Sequence, residues 1–250
     1  MIDTTKNFYT LEKNYPITMN ELDMQYRIKP ASLLNLMQDV ASRNISNTPF
    51  GNVELNNEGL GWFLVRYRIE FDKYPSKIDE ICIQTENRGT LRQSAYRDFE
   101  VFMTDNTRIL RATSYWLMVN LETKTLVNIE EKFPEITKFE KRDDDLKLQR
   151  LKSLPEYDKE QIFHVRYQDL DMNGHVNNTV YVAWAIEVLG LEFLQSHSFK
   201  NIDIYYKQEV RYGEDILSCV KIDRNTTEHA IKNASTGEEL CLIKIEFENS

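Results

Sequence analysis

Two stretches of this chain carry the same helical stripe. Leu33, Leu36, Met37 and Val40 fall at i, i+3, i+4 and i+7 behind Pro30, and Tyr181, Trp184, Ala185 and Val188 do the same in the second half. Each pattern predicts a helix with one core-facing side, the second over residues 176–194, and Pro30 suits a first helical turn. After each helix the period changes to two. GWFLVRYRIEF, EICIQTE, SAYRDFEVFM, RILRATSYWLMVN and TLVNI alternate or are rich in β-branched and aromatic residues, with turn signals at Tyr74-Pro75-Ser76, Arg88-Gly89-Thr90 and Asp105-Asn106. NIDIYYKQEV, ILSCVKID, EHAIKNA and LCLIKIEF repeat the plan behind the second helix.

Between these runs the chain is polar. Residues 1–14 predict a frayed end, and Asn44 to Glu58, punctuated by Pro49 and Gly51, predicts a loop able to cover something. Residues 134–160 are charged, bounded by Pro134 and Pro155, and lack apolar periodicity, as expected of a solvated and partly helical connector. The halves align when displaced by 148 residues. Asp23 then falls on Asp171, Asp39 on Glu187, and the first stripe on the second. An internal duplication follows, with domains at 1–133 and 161–250 joined by the 134–160 linker. Gln25 and Arg27 stand where the second copy has Asn173 and His175, so only the second copy carries that polar set.

Charge and length narrow the classes. The 250 residues hold 31 Lys and Arg against 40 Asp and Glu, a formal net charge of −9, which argues against a nucleic-acid partner. No apolar run approaches the roughly 18–20 residues of a membrane span. The start, MIDTTKNFYTLEKNYP, resembles neither a secretory signal nor a transit peptide, so a cytoplasmic address is expected. Cys82, Cys219 and Cys241 each lie in a strand-like run and read as structural thiols, with no metal site expected.

The densest chemistry is in residues 161–190. If Asp-Met-Asn-Gly-His is extended, Asp171, Asn173 and His175 project to one side just before a helix N-terminus, whose free N–H groups suit a polarised carbonyl. The same residues read equally as a turn and helix cap. Glu209 is by its sequence a strand carboxylate, sharing a face with Asp203, Tyr205 and Lys207. His164, His197 and His229 stand apart from other ligand-type residues, His197 in a polar turn.

The string DLDMNGHVNNTVYVAW at 169–184 resembles the catalytic signature of the acyl-acyl carrier protein thioesterases. GLGWFLVRYRIEF at 59–71, SYWLMVNLETKTLV at 114–127 and YYKQEVRYGEDIL at 205–217 extend the likeness in the same order. The resemblance implies an α+β chain of two tandem hot-dog domains, each a long helix wrapped by an antiparallel sheet. It implies a hydrolase that releases free fatty acid from acyl carrier protein without a cofactor. Glu209 with His175 would then activate a water, Asn173 would hold the carbonyl oxygen or the water, and Asp171 would orient His175. Val210 occupies the position of a cysteine once proposed as nucleophile, so a Cys-His mechanism is not expected. The first domain would hold the acyl chain, with Met24, Leu33, Met37, Trp62 and Phe99 as candidate lining residues. Arg66, Arg68, Lys207 and Arg211 are candidates to meet the acidic carrier and its phosphopantetheine-linked chain. A coenzyme A donor and a non-catalytic acyl-binding role are the rival readings. Two fused halves fit either a monomer or a homodimer.

Overall fold

The computed structural model describes residues 9–249. Its strands form one antiparallel sheet in the order β1-β3-β4-β5-β2-β7-β10-β9-β8-β6. The first half supplies β1 (Thr10–Pro16), β2 (Leu60–Phe71), β3 (Glu80–Leu91), β4 (Ser94–Met103) and β5 (Arg108–Asn120). The second supplies β6 (Lys159–His164), β7 (His197–Tyr206), β8 (Asp215–Asp223), β9 (Thr226–Asn233) and β10 (Glu239–Asn249). The halves meet where β2 pairs β7, Arg66 opposite Tyr205 and Glu70 opposite Asn201.

Each half wraps a helix. In α1 (Pro30–Ile45), Leu33, Met37 and Val40 are buried as the stripe requires. In α4 (Asn178–Glu187), Tyr181, Trp184 and Ala185 take those places. The two helices touch, and the Thr179 hydroxyl donates to Asn35 Oδ1 across them at 3.1 Å. Beneath the junction the Arg68 guanidinium is buried against Asp203 at 2.5 Å and Glu70 at 2.7 Å.

Several expectations change. Residues 1–8 of the expected frayed end lie outside the described residues, but Thr10 to Pro16 form a strand, since they find free edge groups on β3. TLVNI forms no strand; only Leu126 bridges Val119. The 44–58 loop contains a further helix, α2 (Asn52–Asn57). Four helical residues follow β5 as α3 (Ile129–Lys132). The second long helix stops at Glu187; Gly190, at φ +88°, turns the chain into α5 (Leu191–Ser196), which leads straight into His197 as the first residue of β7. The connector is not helical. It crosses the first half as an irregular strap: Thr90 N–H donates to Thr137 O, Arg88 pairs with Asp145 at 2.7 Å, and Arg142 with Glu86 at 2.7 Å. Gly89 is needed there, because a Cβ would stand 2.4 Å from the Thr137 oxygen. Most of the segment is solvent-exposed, and ion pairs at a few points fasten it to the first half.

Candidate active site

The Asp-Met-Asn-Gly-His segment is a closed turn, not an extended run. Leu170 and Val176 bridge its ends, Asp171 N–H donates to His175 O at 2.7 Å, and Gly174 N–H to Asp171 O at 3.1 Å. Gly174 takes φ +76°, which a glycine adopts without a Cβ penalty. The Asp171 carboxylate faces inward, accepting from the backbone N–H groups of Asn173 at 2.8 Å and His175 at 3.2 Å. It therefore builds the turn. The imidazole has a different carboxylate partner.

That partner is Glu209. His175 Nδ1 lies 3.2 Å from Glu209 Oε1, their side chains 20% and 32% exposed. The pairing is set from both sides. Val176 N–H donates to Val210 O at 2.9 Å and His175 bridges Arg211, which fastens the turn to the chain beyond β7. Two buried tyrosines add a cross-brace: Tyr181 Oη donates to Gln208 O at 3.2 Å, and Tyr206 Oη to Asn178 O at 3.0 Å. Partial burial pushes the Glu209 carboxyl above the usual glutamate range, and Asp171 adds to the rise. His175, Lys124 and Arg211 pull it back. With Nδ1 facing Glu209, Nε2 is the nitrogen left for a reactant.

Asp171, Asn173, His175 and Glu209 all line one cleft of about 990 Å³. Ala41, Ile45, Phe50, Leu55, Trp62 and Trp116 give it an apolar wall, and its size is at the upper end for a small-molecule site. At the start of α4, Asn177 Oδ1 caps Thr179 N–H at 3.0 Å, while Asn177 N–H is held by Asp169 O. Asn178 lines the cleft, and among the described residues its N–H has no acceptor.

Of the expected lining residues only Trp62 is in this wall, where its Nε1 donates to Phe50 O at 2.9 Å and fixes the segment after α1. Leu33 and Met37 are sealed in the core. Phe99 is buried against the Tyr67 ring, centroids 5.8 Å apart. Met24 is 65% exposed beside Gln195 and outside the cleft. The helical stripe marks what protein covers; the cleft lies along the flank of α1, at Asn35, Gln38 and Ser42. Among the expected docking cations, Arg68 is a buried ion-pair member and unavailable. Lys207 pairs with Glu239 at 2.5 Å, Arg66 lies over the Tyr205 ring at 4.6 Å, and Arg211 is exposed. Lys124, missed in the sequence, joins the cleft from the turn after β5; nothing in its local pattern marks it.

No cysteine lines the cleft. Burial pushes the Cys219 and Cys241 thiols up, and burial with Glu12 raises Cys82 to about 11. Val210 is fully buried. Among the described residues no group of three or more His, Cys, Asp or Glu is placed to hold a metal ion, and no helix is long and apolar enough to cross a membrane. His164 pairs with Asp215 on the surface, His197 stacks on Phe193, and His229 is buried beside Thr227, its pKa depressed to about 3 by burial.

Two helix-wrapped half-sheets sharing one continuous sheet, with a polar cluster beside an apolar cleft, define a double hot-dog protein. The N-terminal domain of the acyl-ACP thioesterases matches residues 8–137 and their C-terminal domain residues 152–249, and the chain belongs to that family. It is 28% identical over 243 residues to a chloroplastic palmitoyl-acyl carrier protein thioesterase of Gossypium hirsutum, covering 92% of this chain. It is 26% identical over 253 residues to an oleoyl-acyl carrier protein thioesterase of Coriandrum sativum, covering 89% of this chain. The chain spans 58% and 66% of those two proteins' lengths. Among solved structures, an acyl-ACP thioesterase from Bacteroides thetaiotaomicron superposes with a TM-score of 0.85 at 23% identity, covering 96% of this chain and 98% of that one. The 12:0-ACP thioesterase of Umbellularia californica gives 0.84 at 21%, with the same coverages. These two likenesses establish the fold.

Proposed function

We propose that this protein hydrolyses the thioester of fatty acyl-acyl carrier protein, releasing the fatty acid and the carrier thiol in the cytoplasm. The observation that carries the reading is the His175–Glu209 pair at 3.2 Å beside a cleft with an apolar wall. A water held between this pair and the bound acyl group attacks the carbonyl carbon, and Glu209, with His175, accepts its proton. Asn173 and the Asn178 N–H are the donors for the developing oxyanion. As the tetrahedral intermediate collapses, the C–S bond breaks and His175 returns a proton to the departing sulfur. Asp171 acts one step removed, by holding the turn that presents Asn173 and His175. Lys124 and Arg211 supply positive charge on the cleft side for an acidic carrier.

The test is release of free thiol and fatty acid from C8 to C18 acyl carrier protein thioesters, beside the matching coenzyme A esters. Turnover that prefers the carrier protein and collapses in His175→Ala is the expected result. Equal or better use of coenzyme A esters would move the donor, and no turnover of either would overturn hydrolysis itself.

A further inference from the structure

The cleft holds, away from the His175–Glu209 pair, a buried cation that a plain hydrocarbon chain does not need. Arg97, on β4, lines it while remaining only 7% exposed. Both its hydrogen bonds leave from one nitrogen, Nη1, to Asn44 Oδ1 and Thr85 Oγ1, each at 3.0 Å. Among the described residues its Nε and Nη2 have no protein acceptor, and no carboxylate forms an ion pair with it. The adjacent Asp98 pairs instead with Arg88. Thr90, also in the lining and fully buried, has a hydroxyl with no partner. In the β3–β4 register Thr90 opposes Ala95, two residues from Arg97 and on its face of the sheet. Asn44 is 1% exposed, and its Nδ2 also lacks a partner.

These groups sit far from the reacting end. β4 is three strands from β7 in the sheet, roughly 14 Å at ordinary strand spacing, and Glu209 lies just beyond β7. A saturated chain drawn along the cleft would displace water from the guanidinium and leave the buried hydroxyl still unpaired, which is costly. A chain carrying oxygen at its far end would satisfy both.

We propose that the cleft selects acyl chains bearing an oxygen function, a hydroxyl or a carboxylate, at or near the end remote from the thioester, with Arg97 and Thr90 as the specificity-determining residues. This rests on the thioesterase reading for the thioester end only. Arg97's lack of a carboxylate partner favours the carboxylate over the hydroxyl. The alternative role, a tie between α1 and the sheet through Asn44 and Thr85, uses Nη1 alone and leaves the other nitrogens unexplained.

The experiment measures calorimetric binding of free ligands of matched length to the full chain: a straight-chain fatty acid, its ω-hydroxy derivative and the α,ω-dicarboxylic acid. Oxygenated ligands are expected to bind about ten- to hundredfold tighter than the plain acid. Arg97→Leu should abolish that preference and Thr90→Val weaken it, the Val variant serving if the Leu variant fails to fold. Diacid above hydroxy acid identifies a charge-selective site, and the reverse a hydrogen-bond-selective one. Equal or tighter binding of the plain acid to wild type would overturn the proposal. So would a preference undiminished in the variants. Hydrolysis of plain acyl-carrier esters, measured in parallel, reports the catalytic reading separately.

Discussion

The turn at Glu21–Lys29 and the turn at Asp169–Asn177 are the same backbone device used for two ends. Each follows a single 3-10 turn, Met19–Glu21 or Tyr167–Asp169, and closes with a bridge, Leu22 to Ile28 or Leu170 to Val176. In the first, Asp23 N–H donates to Arg27 O, and Asp23 Oδ1 accepts from the N–H groups of Gln25 and Arg27. Shifted by 148 residues, these are the bonds of Asp171, Asn173 and His175. The side chains then part. Arg27 turns inward, to Leu194 O at 2.8 Å and His197 O at 2.9 Å, with Gln25 on Gln195 O, so the first turn plugs the end of α5. His175 and Asn173 face no such helix end. After α1 the chain uses residues 46–59 before β2 and swings out to wall the cleft, whereas α5 enters β7 directly. Duplication supplied two equivalent corners; one became structural and the other stayed open.

The largest difference between the two corners is chemical. His175→Ala and Glu209→Gln should each lower kcat/KM by a factor of about a hundred or more, the range for a lost general acid–base group. Melting temperatures should stay near wild type, since both side chains are partly exposed. Arg27→Ala should do the opposite: a loss of about 2–3 kcal/mol in denaturant unfolding, from two carbonyls and Asp23 deprived of a charged donor, with kcat close to wild type. A large loss of activity without loss of stability in Arg27→Ala would refute the division of labour between the corners.

How far the sequence carried the reading differs between fold and site. The duplication was legible because helix stripes and strand alternation report burial, and both copies bury the same faces. Asp171, Asn173, His175 and Glu209 were nameable, and the structure gathers all four on one cleft. Their pairing was not legible. Alternation put Asp171 beside the imidazole, but Gly174 in the left-handed region folds the segment so that the carboxylate meets backbone N–H groups instead. Glu209 reaches His175 through chain pairing after β7, a contact no local pattern encodes. Leu33, Met37 and Phe99 fall outside the cleft for a related reason: they carry a burial signal because protein covers them, and a cleft leaves no periodic mark. Arg97 was equally hidden, as one cation in an alternating strand.

A smaller effect separates the two turns at their fourth residue. Tyr26 adopts φ +59° where Gly174 adopts φ +76°, so the first copy carries a strain that the second avoids. Nothing lies within 4 Å of a Cβ built on Gly174. Gly174→Ala should therefore cost about 1 kcal/mol, from backbone strain alone. Tyr26→Gly, at a side chain 56% exposed, should cost less than that or stabilise slightly. Chemical denaturation of both variants checks the pair, and a larger loss in Tyr26→Gly would mean that the tyrosine ring contributes more than its backbone conformation costs.

The finest distinction is electrostatic. Asp171 raises the Glu209 pKa by like charge, while Asp23, its counterpart, has no part in that shift. If Glu209 must be ionised to take a proton, kcat/KM rises with pH through its pKa, and that acid limb lies above the ordinary glutamate value. Asp171→Asn keeps an oxygen that can accept from the Asn173 and His175 N–H groups but removes the negative charge. Glu209 then ionises more readily, so the acid limb moves to lower pH and the high-pH plateau changes little. Lys124→Met removes a charge that lowers the Glu209 pKa, so it should move the limb the other way, and Asp23→Asn should not move it. Opposite shifts from Asp171→Asn and Lys124→Met, read from kcat/KM profiles at fixed ionic strength, identify Glu209 as the titrating base. An unmoved limb would assign the limb to a different group and leave Glu209 to orient His175 only.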